Sequence, residues 1–207
     1  MNSKQLEEKI VNLEKEVRTL KDIEEINTLQ RAYGYYMDNL AYDDAADLFT
    51  ADGHAEFGFT VLEGQDKIRA SFRNMTKPPF EGTKKLFLHM QLQGIVHVGE
   101  GGQTAKGRWQ MLCLSVDYLG KPPGELTPII SHGVYEMVYA KENGTWKIKR
   151  MIFNSSFHST LYDGWVKKVS IERTYSEKPA VTANVVERTW PSGYKVPCHY
   201  KNPVTGK

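Results

Sequence analysis

The chain has 207 residues, with eleven Tyr, eight Phe and four Trp and a formal charge of only +2. That length suits one domain with additions, and the aromatics suffice for a large core or an aromatic-lined cavity. Two cysteines make no disulfide framework, no apolar run reaches membrane length, and the first residues are too charged for a signal peptide, so the expectation is a soluble, cytoplasmic protein.

In chain order, residues 1–21 read as a short coiled coil. Leu6, Ile10, Leu13, Val17 and Leu20 are spaced four, three, four and three, with Ile10 and Val17 at a and the leucines at d. Lys9 at g faces Glu14 at e of a parallel partner, and Glu16 faces Lys21. The alternative is an amphipathic helix folded onto its own domain. A second helical stripe runs through Ile26, Leu29, Tyr33, Tyr36, Met37 and Leu40. A short helix restarts at Asp43 or Asp44 and ends before Ala51. A strand around His54–Val61 and a helix from Gln65 to about Met75 come next. Long strands over Lys85–Val98, Thr104–Leu119, His132–Lys141 and Thr145–His158 follow, the last two joined by an Asn143-Gly144 turn.

The loop Gly120–Pro128 carries three prolines and reads as a rim over a cavity or as plain surface. A further helix begins near Tyr162, and the chain is irregular from Thr174. From Gly164 onward eight Lys/Arg face three Glu. These charges are scattered, which favours a solvated or subunit-wrapping tail bordering the cavity over a nucleic-acid site. The expected organisation is therefore a coiled-coil helix over 1–21, a main domain over 22–160, and a helix with an extended tail over 161–207. Helices followed by long strands imply an α+β fold, its antiparallel sheet curled around the helices into a cone.

Metal and nucleotide signatures are missing: there is no Cys-x-x-Cys, no His-x-x-x-His, no phosphate loop and no Gly-x-Ser-x-Gly elbow. Acid–base chemistry remains. Strand alternation puts Phe87, His89, Gln91 and Gln93 on one face, a polar set that is odd for a packed core. Trp109, Met111, Cys113 and Ser115 share a face of the next strand. In the last strand Arg150, Ile152 and Asn154 oppose Met151, Phe153 and Ser155, and parity does not say which side is inside. His89 is the candidate base, although strand histidines are more often satisfied structural residues. Asp38 would point about 140° from Tyr33 on an ideal helix and faces inward only if the helix bends or ends near Asn39. The other histidines are weaker candidates, with His132 and His158 at strand ends.

Taken together, Tyr33-x-x-x-x-Asp38, Leu48-Phe-Thr-Ala-Asp-Gly53, Gly64-x-x-x-Ile68, Leu88-His-Met90, Ala105-Lys-Gly-Arg-Trp109 and Asn143-Gly-Thr-Trp146 resemble the SnoaL-like branch of the nuclear transport factor 2-like superfamily. The resemblance is closest to the bile acid 7α-dehydratase and hexachlorocyclohexane dehydrochlorinase group and covers roughly residues 22–158. It implies the cone fold, no cofactor and often a trimer. It further implies that Asp38 orients His89, which removes a proton beside the leaving group, and that Tyr33 matches the tyrosine of the bile acid enzyme. The group's second acid falls at or near Cys113 and its late-strand arginine near Ser155, so the contacts to substrate differ.

The resulting expectation is a cofactor-independent lyase without a metal. It would eliminate water, or formaldehyde plus water, from a small hydrophobic and aromatic substrate. His89, Asp38 and Tyr33 would be catalytic, and Asn154, Ser155, Cys113, Phe87 and Trp109 would line the substrate site. The expected partners are further copies of the chain, a trimer favoured and a dimer possible, with no nucleic acid or membrane. A non-catalytic module of the same fold, or an isomerase or cyclase with the same dyad, stays open.

Overall fold

The structure is a computed structural model that describes residues 2–58, 60–74, 86–117, 126–167 and 195–206. Among these residues the elements are α1 (Ser3–Asp38), α2 (Tyr42–Asp47), β1 (Phe49–Phe57), β2 (Thr60–Glu63), α3 (Gln65–Asn74), β3 (Phe87–Val98), β4 (Thr104–Asp117), β5 (Thr127–Glu142), β6 (Thr145–Thr160) and α4 (Gly164–Lys167).

Helix α1 is one continuous rod. Asn2 caps it in a reciprocal capping box with Gln5, which satisfies two of the free amide donors of the first turn. Its first nineteen positions stand clear of the body, and Asp22 is the first buried residue. Asp22 accepts from the Trp146 indole at 2.9 Å and from the Lys141 ammonium, so the base of the rod is pinned by a buried charge-assisted pair. Beyond that point the apolar stripe turns inward as the spacing requires, with Ile26, Tyr33 and Met37 buried and Leu29, Tyr36 and Leu40 packed at its margin. No helix among the described residues is long and apolar enough to cross a membrane.

The six strands form one sheet in the order β2-β1-β6-β5-β4-β3. This corrects the expected architecture at two points. The sheet is open, not curled into a cone or barrel. Among the described residues, strand β2 has four residues and pairs only with β1, while β3 at the other edge pairs only with β4, so no described strand joins the edges. The sheet is also mixed, because β1 runs parallel to β6 while every other pair is antiparallel. The single strand expected over His54–Val61 is in fact the end of β1 and the start of β2, separated at Gly58, whose φ of +58° suits a glycine turn. Strand β5 starts at Thr127, five residues before His132, and so absorbs Pro128; residues 120–125 of the expected rim loop lie outside the described residues.

Directly opposed residues of adjacent antiparallel strands share a face. One face, covered by α1, carries Trp109, Met111 and Cys113 of β4, Tyr135, Met137 and Tyr139 of β5, and Ile148, Met151 and Phe153 of β6. Gly34 lets α1 approach β3 closely: a Cβ there would meet the His89 carbonyl oxygen at 2.9 Å and the Gln91 side chain at 3.1 Å. Gly34→Ala should therefore push the helix off β3. Overpacking costs about 1–3 kcal/mol and the better helix propensity of Ala returns about 1 kcal/mol. The expected net loss is about 1 kcal/mol, read as a fall of about 2–4 °C in melting temperature; an unchanged or raised melting temperature would mean that the approach is not tight.

Candidate active site

The site grows from the end of α1. The helix stops at Asp38, with Asn39 as C-cap and Leu40 turned to a φ of +58°. That ending lets the Asp38 carboxylate swing toward β3 and not into solvent. It does not reach the imidazole. Asp38 Oδ1 accepts the backbone N–H of His89 at 2.5 Å, so the carboxylate holds the edge strand by its main chain. The expected direct contact between Asp38 and the ring is thus corrected: the residues meet, but at another atom.

The imidazole of His89 is buried on the inner face, stacked on Phe87 at 5.4 Å and edge-on to Tyr33 at 5.9 Å. Its Nε2 shares a 2.8 Å hydrogen bond with the Tyr135 hydroxyl. Tyr135 in turn hydrogen-bonds Tyr33, whose ring is edge-on to it at 6.1 Å. Nδ1 of His89 is buried with no hydrogen-bond partner among the described residues. Burial depresses the ring to a pKa of about 4, because a charged imidazolium here would lose its hydration. The same cause raises the Tyr33 and Tyr135 hydroxyls, Tyr135 well above the usual phenol range, so both keep their protons at neutral pH. The arrangement is a neutral imidazole with one nitrogen tied into a tyrosine relay.

Register extends the site across the sheet. His89 stands opposite Cys113, Cys113 opposite Ser131, and Ser131 opposite His158, so four strands contribute one transverse polar row to the inner face. Ser131 Oγ and His158 Nδ1 share a hydrogen bond at the far end of the row. Ser155 lies beside it on the same face, opposite Gly133. Asn154 does not. It is opposite Val134, on the other face of the sheet, so the expected substrate contact from Asn154 is not brought to His89.

Trp109 is on the correct face but is engaged. Its indole donates to Tyr139 at 3.0 Å, Tyr139 donates to Gln30 at 2.8 Å, and Gln30 donates to Gln91 at 2.8 Å. This buried chain ties α1 to β3, β4 and β5 and satisfies groups that would otherwise be costly to bury. Gln93, expected beside His89, sits in the irregularity between Leu92 and Ile95 with a φ of +48° and is exposed.

Tyr135 and Ser131 escaped the sequence reading. The usable signal is the alternation Ser131, Gly133, Tyr135, Met137, Tyr139, a face already inside the expected strand from Gly133 onward and completed by a start one residue earlier. The described end of the tail, 195–206, lies on the outer face, where Arg108 donates to the Val196 and Pro197 carbonyls at 2.8 and 3.1 Å. His199 sits between Glu136 at 3.3 Å and His97 at 3.2 Å. It does not border His89. Among the described residues no group of three or more His, Cys, Asp or Glu is arranged to hold a metal ion.

An open mixed sheet with helices on one face, and a buried histidine–tyrosine site beneath the end of the long helix, define an α+β domain of the kind that binds or transforms small hydrophobic molecules. The chain belongs to the SnoaL-like domain family, whose model matches residues 18–152, within the nuclear transport factor 2-like superfamily. No curated protein matches it. Among solved structures, it is similar to a protein of Novosphingobium aromaticivorans provisionally named a scytalone dehydratase. The two are 16% identical over 80% of this chain and 97% of that one, with a TM-score of 0.59. A second protein of that organism, provisionally named an aromatic ring hydroxylase, is 24% identical over 70% and 96%, with a TM-score of 0.56. A type 2 hexachlorocyclohexane dehydrochlorinase is 16% identical over 70% and 93%, with a TM-score of 0.60. At these identities the likeness is one of fold.

Proposed function

We propose that the chain is a cofactor-independent lyase that eliminates water, or formaldehyde plus water, from a small hydrophobic, aromatic, hydroxylated substrate. The observation that carries this reading is the buried His89 ring, with Nε2 held by Tyr135 and Nδ1 without a hydrogen-bond partner among the described residues. If Nε2–H donates to the Tyr135 oxygen, Nδ1 presents its lone pair as the base. In the simpler reaction Nδ1 takes a proton from carbon, the electron pair forms a double bond, and the hydroxyl on the next carbon leaves as water with the proton that His89 returns. In the longer one Nδ1 takes the proton of a primary hydroxyl. The carbon–carbon bond then breaks to release formaldehyde, and its electrons form the double bond that expels the second hydroxyl as water.

A ring whose protonated form is disfavoured by burial gives its proton back readily, which suits the second half of either reaction. With Tyr135 accepting from Nε2–H and donating to Tyr33, the Tyr33 hydroxyl at the end of the relay would be the donor for a developing oxyanion. Phe87, Cys113 and Ser155 would line the substrate, and Asp38 acts as a positioning residue through the β3 backbone. The names of two structural neighbours, a dehydratase and a dehydrochlorinase, denote eliminations and support the reaction class.

The test is to incubate the protein with aromatic 1,2- and 1,3-diols, following both the near-ultraviolet absorbance of a conjugated product and released formaldehyde. Turnover of any of them, reduced at least tenfold in Tyr135→Phe, supports the reading. Absence of turnover across a panel of diols that bind would overturn it. Product analysis separates elimination from isomerisation or cyclisation. A non-catalytic binding module is the second reading, favoured by the Asp38 contact to main chain and by the depressed imidazole. It predicts saturable binding without product.

A further inference from the structure

The packing of the body leaves the apolar residues at the start of α1 uncovered. Leu6, Ile10, Leu13, Val17 and Leu20 are between 46% and 66% exposed, although their spacing builds one continuous apolar seam. The seam ends at Leu20, immediately before Asp22 enters the body, and heptad position a of the next repeat is the polar Glu24. The seam is therefore confined to the free part of the helix. Its flanks are also ordered: Lys9 and Glu16 occupy successive g positions, Glu14 and Lys21 successive e positions.

We propose that residues 3–21 form a parallel, two-stranded coiled coil with a second copy of this chain. Two features select that occupant. In a parallel pair Lys9 meets Glu14 of the second copy and Glu16 meets Lys21, so both g–e contacts on each side join opposite charges. Ile10 and Val17 at a, with leucines at every d, favour two strands over three. Just over two heptads would be marginal as an isolated peptide, because the first helical turn is costly to nucleate. Here that cost is already met: the helix runs unbroken into Asp38, is pinned at Asp22 and is capped at Asn2. Pairing has only to cover the seam.

The test is light scattering on the full chain at micromolar concentration. The wild type should show twice the chain mass. Leu13→Glu with Val17→Glu should weaken association at least tenfold while near-ultraviolet circular dichroism of the body stays unchanged. Glu14→Lys alone should weaken association less, by setting Lys9 against a lysine. Adding Lys9→Glu to Glu14→Lys should restore association. A wild-type monomer or trimer would overturn the proposal. So would wild-type mass in the Leu13→Glu/Val17→Glu variant, or a charge-swapped double variant no tighter than Glu14→Lys.

Discussion

His89→Ala should lower turnover by about a hundred- to ten-thousand-fold, the usual cost of losing a positioned general base. The fold should survive. The bond from Asp38 is made to the main-chain N–H at position 89, so it persists whatever side chain stands there. For the same reason Asp38→Asn should slow turnover far less than Asp38→Ala, because an amide oxygen can still accept that N–H while a methyl group cannot. An Asn variant as slow as His89→Ala would instead make the carboxylate charge itself essential. The pH profile of kcat/KM is a second readout. With the ring depressed to about 4 by burial, the base is already neutral throughout the usual range, so activity should stay level on acidification and fall only as pH approaches 4. A break near 6.5 would show that the working imidazole is hydrated. His89→Ala combined with Tyr135→Phe should be little slower than His89→Ala alone, since groups acting as one unit do not lose activity additively.

Much of this was readable from residue spacing. The stripe of α1, the Asn143-Gly144 hairpin with φ of +50° and +81°, and the length of the last strands follow from periodicity and turn chemistry, which are local properties. What failed was non-local. Alternation says which residues share a face but not which strand lies alongside, so the parallel pairing of β1 with β6 and the open edges at β2 and β3 could not be seen. The choice between Asn154 and Ser155 turned on register, and β5 and β6 shift register between His132 and Gly133, so parity could not be carried along the strand from its far end. His89 stands out in the sequence because it shares a strand face with Gln91 and Gln93, a polar set that is odd for a packed core. Tyr135 was missed because a tyrosine between methionine and glycine looks like core, and only its hydroxyl, placed at His89, gives it a role. Asp38 was found for the correct reason, a helix that ends, and assigned the wrong atom, because the angle of a side chain past a C-cap is not set by helical geometry.

Acid should weaken the fold through that same imidazole, and the sign follows from its two environments. In the unfolded chain His89 takes a proton near pH 6.5, whereas in the folded chain it stays neutral until about pH 4. Between those values the unfolded state binds the proton and the native state does not, so stability is fully present above 6.5 and is lost as pH falls toward 4. The difference in pKa corresponds to about 3 kcal/mol. Other groups titrate as well. His132 is also depressed by burial, and Asp43 and Asp52, pulled down by hydrogen bonds from Arg73 and Lys149, lose their partners at lower pH. All of these are present in His89→Gln, which keeps a neutral polar side chain facing Tyr135 but removes the titrating ring. The decisive quantity is therefore a difference: the urea unfolding free energy at pH 7 minus that at pH 4, for the wild type less the same quantity for His89→Gln. It should be positive and about 3 kcal/mol. A value near zero would mean that the ring is hydrated or mobile in the native state, and the neutral base on which the elimination depends would lose its physical footing.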